Sequence, residues 1–372
     1  MKTPTLIATG SARHSGIHTK TAFALISLIA LFALASCSND PIFSAIQNEV
    51  KLKDPSIEGT VSSMEAINGD LYAANGYIFK RTAGVGSWDK IALPDGASRC
   101  AKLASDGTNL YGLFTNSDWT SFNSVQLYTG DSWTPVTGLD NVSQIGSGKG
   151  RIYAFIENDG DSSEHTYNAY ISTGAGATTF NATPVAEDIG VPTGSSGDYF
   201  ATTTTVYQLS GTSASSIGSP GSGLCGVIVG SNGNVYTANY GYAYRWDGKD
   251  WTSCWLDLEN DPATGITILQ SASKDLLIIG CDEGYGEVPL DASSGALGSY
   301  ISPGSDPLST TDPDDEDQYE SSIELYNVSG IFAFTSPVPA GDEYVLYISV
   351  NHYKYNGLWG YYDTTQSEWN RE

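Results

Sequence analysis

Two histidines, four cysteines and a large surplus of carboxylates are the residues from which the body of this chain could build chemistry. His165 and His352 are the only histidines beyond the first 20 residues. They stand nearly two hundred residues apart, which argues against a multi-histidine metal centre or a paired base. Neither sits in a motif that would make it the base of a Ser/His/Asp hydrolase. No glycine-rich loop with a phosphate-binding lysine is present, no dinucleotide fingerprint and no zinc-type cysteine spacing, so no cofactor and no metal is expected. Cys100, Cys225, Cys254 and Cys281 form an even set that allows three pairings if all are oxidised. Cys100 and Cys225 each precede a tyrosine, Tyr111 and Tyr236, by eleven residues, and so occupy equivalent strands of two non-adjacent units. A bridge from Cys254 or Cys281 to Cys225 is geometrically easier, and four buried free thiols are the alternative.

The carboxylates are numerous enough for a glycosidase-type pair to assemble across units. The chain carries 17 basic and 42 acidic residues, a net charge of -25. Removing the first 36 residues takes away Lys2, Arg13 and Lys20 and no acid, leaving 14 basic residues against 42 acidic ones, or -28. That charge repels phosphate backbones, and a nucleic-acid partner is excluded.

A fifth cysteine has a different setting. Thr21 to Leu34 is an almost unbroken apolar run behind a basic, acid-free start, and Leu34-Ala35-Ser36-Cys37 follows at once. The run is shorter than the roughly 20 residues of a membrane-spanning helix. Charge, core length and box together resemble a bacterial lipoprotein signal, which implies cleavage before Cys37 and a diacylglycerol on its thiol. Two or three palmitate-class acyl chains, at about 0.8 kcal/mol per buried methylene, would hold the protein on a leaflet durably. Ser38 and Asn39 follow, with no aspartate directly after the cysteine, which by the enteric sorting rule implies the outer membrane. The expected organisation is a signal peptide over 1–36, lipidated Cys37 with a tether and a short amphipathic segment over 37–58, and a body over 59–372.

The elements that must position any site in that body are repeated. Asn68-Gly69-Asp70-Leu71-Tyr72 is a turn leading into a strand that ends in an aromatic residue, and weakened copies recur to the C-terminus. Their markers are Tyr72, Tyr111, Tyr153, Phe200, Tyr236, Leu277 and Tyr347. Five of the six intervals lie near the 40 to 50 residues of a four-stranded propeller blade. An all-β propeller is therefore expected, with seven four-stranded blades as the first choice and six or eight as alternatives. Trp88, Trp133, Phe180, Trp251 and Trp369 follow second turns and are assigned to the outermost strands, packing between adjacent sheets. Abundant Ser and Thr are assigned to the wet faces. The seventh unit is dense in aromatics and should close against the first.

The long interval holds an acidic stretch, 302–320, read as a solvated insertion loop and not a calcium loop, because the alternating ligand spacing and turn glycine are absent. Asn158-Asp159-Gly160-Asp161 is read as a turn for the same reason. Ile171 to Phe180 resembles the Asp-box hairpin of sialidase-like propellers, with Gly174 or Ala175 where the aspartate should stand. A sialidase site also needs three clustered arginines, and the body has Arg81, Arg99, Arg151, Arg245 and Arg371, of which Arg81 and Arg245 fall in equivalent outer strands.

With box, tether (Pro41-Ile42-Phe43, Glu49-Val50-Lys51-Leu52-Lys53), Gly-x-x-Leu-Tyr turns and Asn356-Gly357-Leu358-Trp359-Gly360-Tyr361 together, the chain resembles spirochaete, treponeme-like envelope lipoproteins with a propeller body. The resemblance implies an envelope location and no activity, and carries over no functional residue except Cys37. The expected function is a non-enzymatic scaffold that binds a protein or glycan partner. A carbohydrate-active propeller enzyme and a structural envelope component are the alternatives.

Overall fold

A computed structural model describes residues 55–116, 122–158, 165–258, 262–282, 284–301, 327–351 and 356–372. The leader, Cys37 and its tether, the stretch 302–320, Asp159-Gly160-Asp161 and His352 lie outside these residues. The described residues contain no helix. They form seven antiparallel sheets with strands in sequence order from the first to the last: blade 1 (63–91), blade 2 (99–135), blade 3 (142–189), blade 4 (192–218), blade 5 (228–255), blade 6 (265–289) and blade 7 (328–371). Six have four strands. Blade 6 has three, and Glu287 on its third strand bridges to Ile301 in the segment that follows. Each first strand lies beside the first strand of the next blade, and that of blade 7 lies beside that of blade 1, so the sheets close into a seven-bladed propeller.

All seven sequence markers fall on the second strand of their blades, from Tyr72 in Asp70–Ala74 to Tyr347 in Val345–Val350. All are buried. The turn that opens the pattern explains the spacing: Asn68 and Gly69 adopt φ of 52° and 82°, the left-handed pair that reverses a tight hairpin in the sense of the strand twist. Alternation along a strand then sends neighbouring residues into opposite seams. Leu110 joins the cluster between blades 1 and 2, and Tyr111 the one between blades 2 and 3. The core is accordingly divided into wedges between blades, each large side chain contributing about 2–3 kcal/mol on burial. One sheet cannot cover both its faces, and the neighbours do it.

The marker tyrosines also tie the ring together with their hydroxyls. Tyr111 Oη donates to Asp106 Oδ2 in its own blade at 3.2 Å and reaches the Ala177 carbonyl in blade 3 at 3.4 Å, Tyr153 Oη donates to the Gly197 carbonyl in blade 4 at 3.2 Å, and Tyr236 Oη to the Gly295 carbonyl beyond blade 6 at 2.8 Å. Three tryptophans reach the preceding blade: Trp133 Nε1 donates to Ala92 O, Trp251 Nε1 to Ile217 O, and Trp88 Nε1 to Glu372 Oε2, each at 3.0 Å. Phe180 departs from the expectation. The outermost strand of blade 3 is Ala186–Ile189, and Phe180 sits in a hairpin inserted before it, buried between blades 2 and 3 with its N–H on Thr137 O.

A set of hydroxyls assigned to the wet faces lies in the seams instead. The N–H of Leu103 donates to Ser63 Oγ (2.7 Å), that of Ser105 to Ser147 Oγ (3.0 Å), that of Val229 to Ser196 Oγ (3.1 Å) and that of Ala333 to Thr267 Oγ1 (3.1 Å). These donors sit on first strands, whose free edge has no further strand to pair with, and a buried N–H left unpaired is costly.

Blade 7 meets blade 1 without exchanging a strand. Segment 55–61 runs along blade 7 through Ser56 N–H to Glu372 O (2.8 Å) and Val61 N–H to Ser349 Oγ (2.9 Å). Arg81, on the third strand of blade 1, completes the closure. Its Nη1 donates to Glu372 Oε2 and Tyr347 Oη, both at 3.0 Å, and to Tyr362 Oη. Its guanidinium lies over the Trp88 and Tyr362 rings, 5.5 and 5.6 Å from their centroids. Arg81 and Glu372 side chains are only 11% and 8% exposed.

Candidate functional site: the central channel

The seven first strands enclose a channel of about 570 Å³. Its wall is mostly small and hydroxylated, as in Gly146-Ser147-Gly148 and Thr193-Gly194-Ser195-Ser196-Gly197, because only short side chains fit where first strands converge on an axis. Glu65 is the one acid among the lining residues. Ser147 Oγ, two blades away, donates to Glu65 Oε1 at 2.5 Å. Desolvation by the surrounding blades pushes the Glu65 carboxyl up to about 7, against the opposing pull of the Ser147 hydroxyl and the Lys102 charge. Lys102, on the first strand of blade 2, is pushed down by the same loss of water, and Glu65 opposes that shift. Thr193 Oγ1 is buried in the wall with no hydrogen-bond partner. The channel thus offers one carboxyl that titrates near neutrality, two lysines, Lys102 and Lys149, and many hydroxyls. Among the described lining residues there is no second carboxylate of the kind glycoside hydrolysis needs.

Glu65 and Lys102 were not singled out by sequence reasoning. The available signal was weak: an acid and a lysine in strands otherwise small or apolar apart from Arg99, seven and nine residues before marker tyrosines.

The residues that were singled out are dispersed. His165 is exposed at the edge of blade 3, its Nδ1 against Glu157 Oε1. The four described cysteines form no disulfide with one another. Cys100 is buried between blades 1 and 2, and burial pushes its thiol up. Cys225, Cys254 and Cys281 share the wedge between blades 5 and 6, and burial pushes Cys225 up to about 12. Cys225 N–H donates to Ala238 O, Ala238 pairs with Ala243, and Ala243 with Cys254. Three strand spacings of about 4.8 Å separate Cys225 from Cys254, roughly 14 Å and twice the reach of a disulfide.

The arginines fall on five blades: Arg81 as above, Arg151 Nη1 across a seam to Gly211 O (3.2 Å), Arg245 Nη2 to Ser294 O beyond blade 6 (2.7 Å), Arg371 Nη2 to Asn356 O within blade 7, with Arg99 on blade 2. Arg81 and Arg245 do occupy equivalent strands, the third of their blades.

The Asp-box-like hairpin has a carboxylate after all, supplied by its neighbour. Gly176 N–H donates to Asp106 Oδ2 at 2.7 Å, across the seam from blade 2. Asp106 Oδ1 also accepts the N–H groups of Thr108 (2.9 Å) and Asn109 (2.7 Å). Burial raises this carboxyl, but the bonds from Gly176, Asn109 and Thr108 outweigh burial and hold it below the usual carboxylate range. A close carboxyl pair, Asp342 and Asp363, is engaged with turns of blade 7: Asp342 Oδ1 accepts Thr364 and Thr365 N–H, and Asp363 Oδ1 accepts Glu343 N–H. Among the described residues no group of three or more His, Cys, Asp or Glu is arranged to hold a metal ion.

A closed ring of seven sheets, with its ionisable side chains drawn into the seams, defines this chain as a single-chain β-propeller. Residues 11–372 match the TP013X lipoprotein family, and the chain belongs to it. It is therefore a membrane-anchored protein of a bacterial envelope. An uncharacterised lipoprotein of Treponema pallidum (strain Nichols) is 24% identical over 93% of this chain and 95% of its own length. Among solved structures, the GH74 enzyme of Niastella koreensis superposes with a TM-score of 0.53 at 15% identity, over 85% of this chain and 54% of that one. YCF48 bound to D1 peptide gives 0.50 at 13% identity, over 82% and 92%. At these identities the likeness is one of fold.

Proposed function

We propose that the protein is a non-enzymatic binding scaffold, held at the outer membrane by acyl chains on Cys37 and presenting a rigid disc to another macromolecule. The observation that carries this reading is the use of its reactive side chains. Arg81, Arg151, Arg245, Asp106 and Glu372 bond across or along seams, and the channel holds a single carboxyl. The fold by itself does not decide the matter, since it carries both an enzyme and a peptide-bound protein. The leader and box support the anchor.

The test is an assay of purified mature protein against glycan and ester substrates. Turnover that disappears in Glu65→Gln would overturn the reading in favour of a carbohydrate-active enzyme. A Cys37→Ala variant should leave the detergent phase for the aqueous one; retention in detergent would refute the anchor. Protease shaving of intact cells then assigns the disc to the cell surface or the periplasm.

A further inference from the structure

Blade 5 carries an aromatic stripe that its neighbour covers only in part. Tyr242, Tyr244 and Trp246 alternate along the third strand, and Trp255, Ser253 and Trp251 stand opposite them on the fourth. At one end the Trp246 and Trp251 rings are 5.5 Å apart and packed against blade 4. At the other end the stripe emerges into solvent: Tyr240 is 52%, Tyr242 43% and Trp255 60% exposed, three of the five large exposed hydrophobics among the described residues. The Tyr242 and Tyr244 rings are 5.9 Å apart.

The backbone beneath these rings is fixed. Asn239 Oδ1 accepts the N–H groups of Gly241 (3.0 Å) and Tyr242 (2.9 Å), its Nδ2 donates to Ser222 O (3.0 Å), and Leu256 N–H donates to Gly241 O (2.9 Å). The connector from blade 4 runs close by, and Gly221 is required there, since a Cβ at that position would stand 2.6 Å from Tyr244 Oη and 2.8 Å from Asn239 Nδ2. The result is a preorganised platform of flat rings edged by hydroxyl, amide and backbone groups.

We propose that the Tyr240, Tyr242 and Trp255 platform binds a neutral glycan, stacking its sugar rings on the aromatic faces. The proposal rests on the scaffold reading above and names the ligand class. The area favours this occupant. Three rings of about 150–250 Å² each, half exposed, offer roughly 225–375 Å², less than half of the ~800 Å² that a partner contributes to a stable protein interface, but enough for one or two sugars. Charge favours it as well: no cation stands among Asn239, Tyr240, Tyr242, Tyr244 and Trp255, and on a chain of net charge -25 that gives an anionic lipid or acidic polysaccharide little to bind.

The test titrates the mature protein with cellohexaose, chitohexaose and maltohexaose, with polygalacturonate as the charged comparator, following tryptophan emission and heat. At least one neutral hexasaccharide should bind. Trp255→Ala should weaken that binding about tenfold, Trp255→Phe should restore most of it, and the melting temperature should stay unchanged. Binding of none of the three, equal binding by Trp255→Ala, or preference for polygalacturonate overturns the proposal. So does loss of a captured envelope protein in Trp255→Ala without any glycan binding. That last result would leave the scaffold reading standing, whereas turnover of a hexasaccharide would remove it.

Discussion

Replacing Arg81 by alanine should loosen the closure of the ring more than any surface change could. The guanidinium holds Glu372, Tyr347 and Tyr362 of blade 7 from its place on blade 1, with both charges nearly out of solvent. Its loss leaves the Glu372 carboxylate buried with only neutral donors, the Trp88 indole at 3.0 Å and the Tyr362 hydroxyl at 2.5 Å. Breaking one side of a buried ion pair costs about 3–5 kcal/mol, and the two remaining donors place the value here near the lower figure, about 3 kcal/mol. Spread over the unfolding entropy of roughly 320 residues, that is a fall of about 4–5 °C in Tm. Calorimetry or a circular-dichroism melt reads the shift. The pair Arg81→Met with Glu372→Leu should recover at least about 1.5 kcal/mol relative to the two single changes added together, because no charge is then stranded. A Tm within about 1 °C of the parent for Arg81→Ala, or a double variant no better than additive, would refute the closure argument.

Other consequences are open to equally direct measurement. Glu65 has its carboxyl raised in the folded state, so it stabilises fully below its unfolded value and the contribution is lost as pH rises to about 7 and beyond. Glu65→Gln should therefore match the parent at pH 4 and exceed it by about 1–2 kcal/mol at pH 8, the full shift being discounted for the water that the channel retains; denaturant melts at both pH values check this. Asp106 runs the other way, its depressed carboxyl stabilising at neutral pH and losing that contribution as pH falls through the folded value. Asp106→Ala should cost about 2–3 kcal/mol at pH 7 by stranding the Gly176 N–H and its companions, and the difference from the parent should shrink in strong acid. Thiol titration of a Cys37→Ala variant, unfolded without reductant, should find four reactive groups; two would indicate a disulfide that the separation of Cys225 and Cys254 does not allow for that pair.

The sheets were legible in the sequence because they repeat, and the seams were not because their chemistry is distributed. Leu-Tyr after a glycine turn marks a second strand each time, since that strand is buried on both faces and an aromatic fills the wedge. Even the irregular markers, Phe200 and Leu277, fall where the spacing puts them. Phe180 misled because a turn followed by an aromatic looks the same in an inserted hairpin as on an outer strand. Asp106 could not be matched to Gly176 from 70 residues away, although its own Asx turn, Asp-Gly-Thr-Asn, was readable. The channel pair is less visible still: Glu65 becomes unusual only when seven blades displace water from around it, and no local pattern encodes that.

A closure that exchanges no strand has a cost during synthesis. Blade 1 is made first, and the flank of that blade, Met64, Leu71, Phe79 and Trp88, finds its cover only in blade 7. Some 255 residues must follow before Val345, Tyr347 and Tyr362 arrive, so a nascent crescent with one greasy side persists through nearly the whole synthesis of the body. Such an intermediate is a natural client for holdase chaperones, and a truncation that spares six perfect sheets but removes the seventh should aggregate instead of folding as a smaller ring.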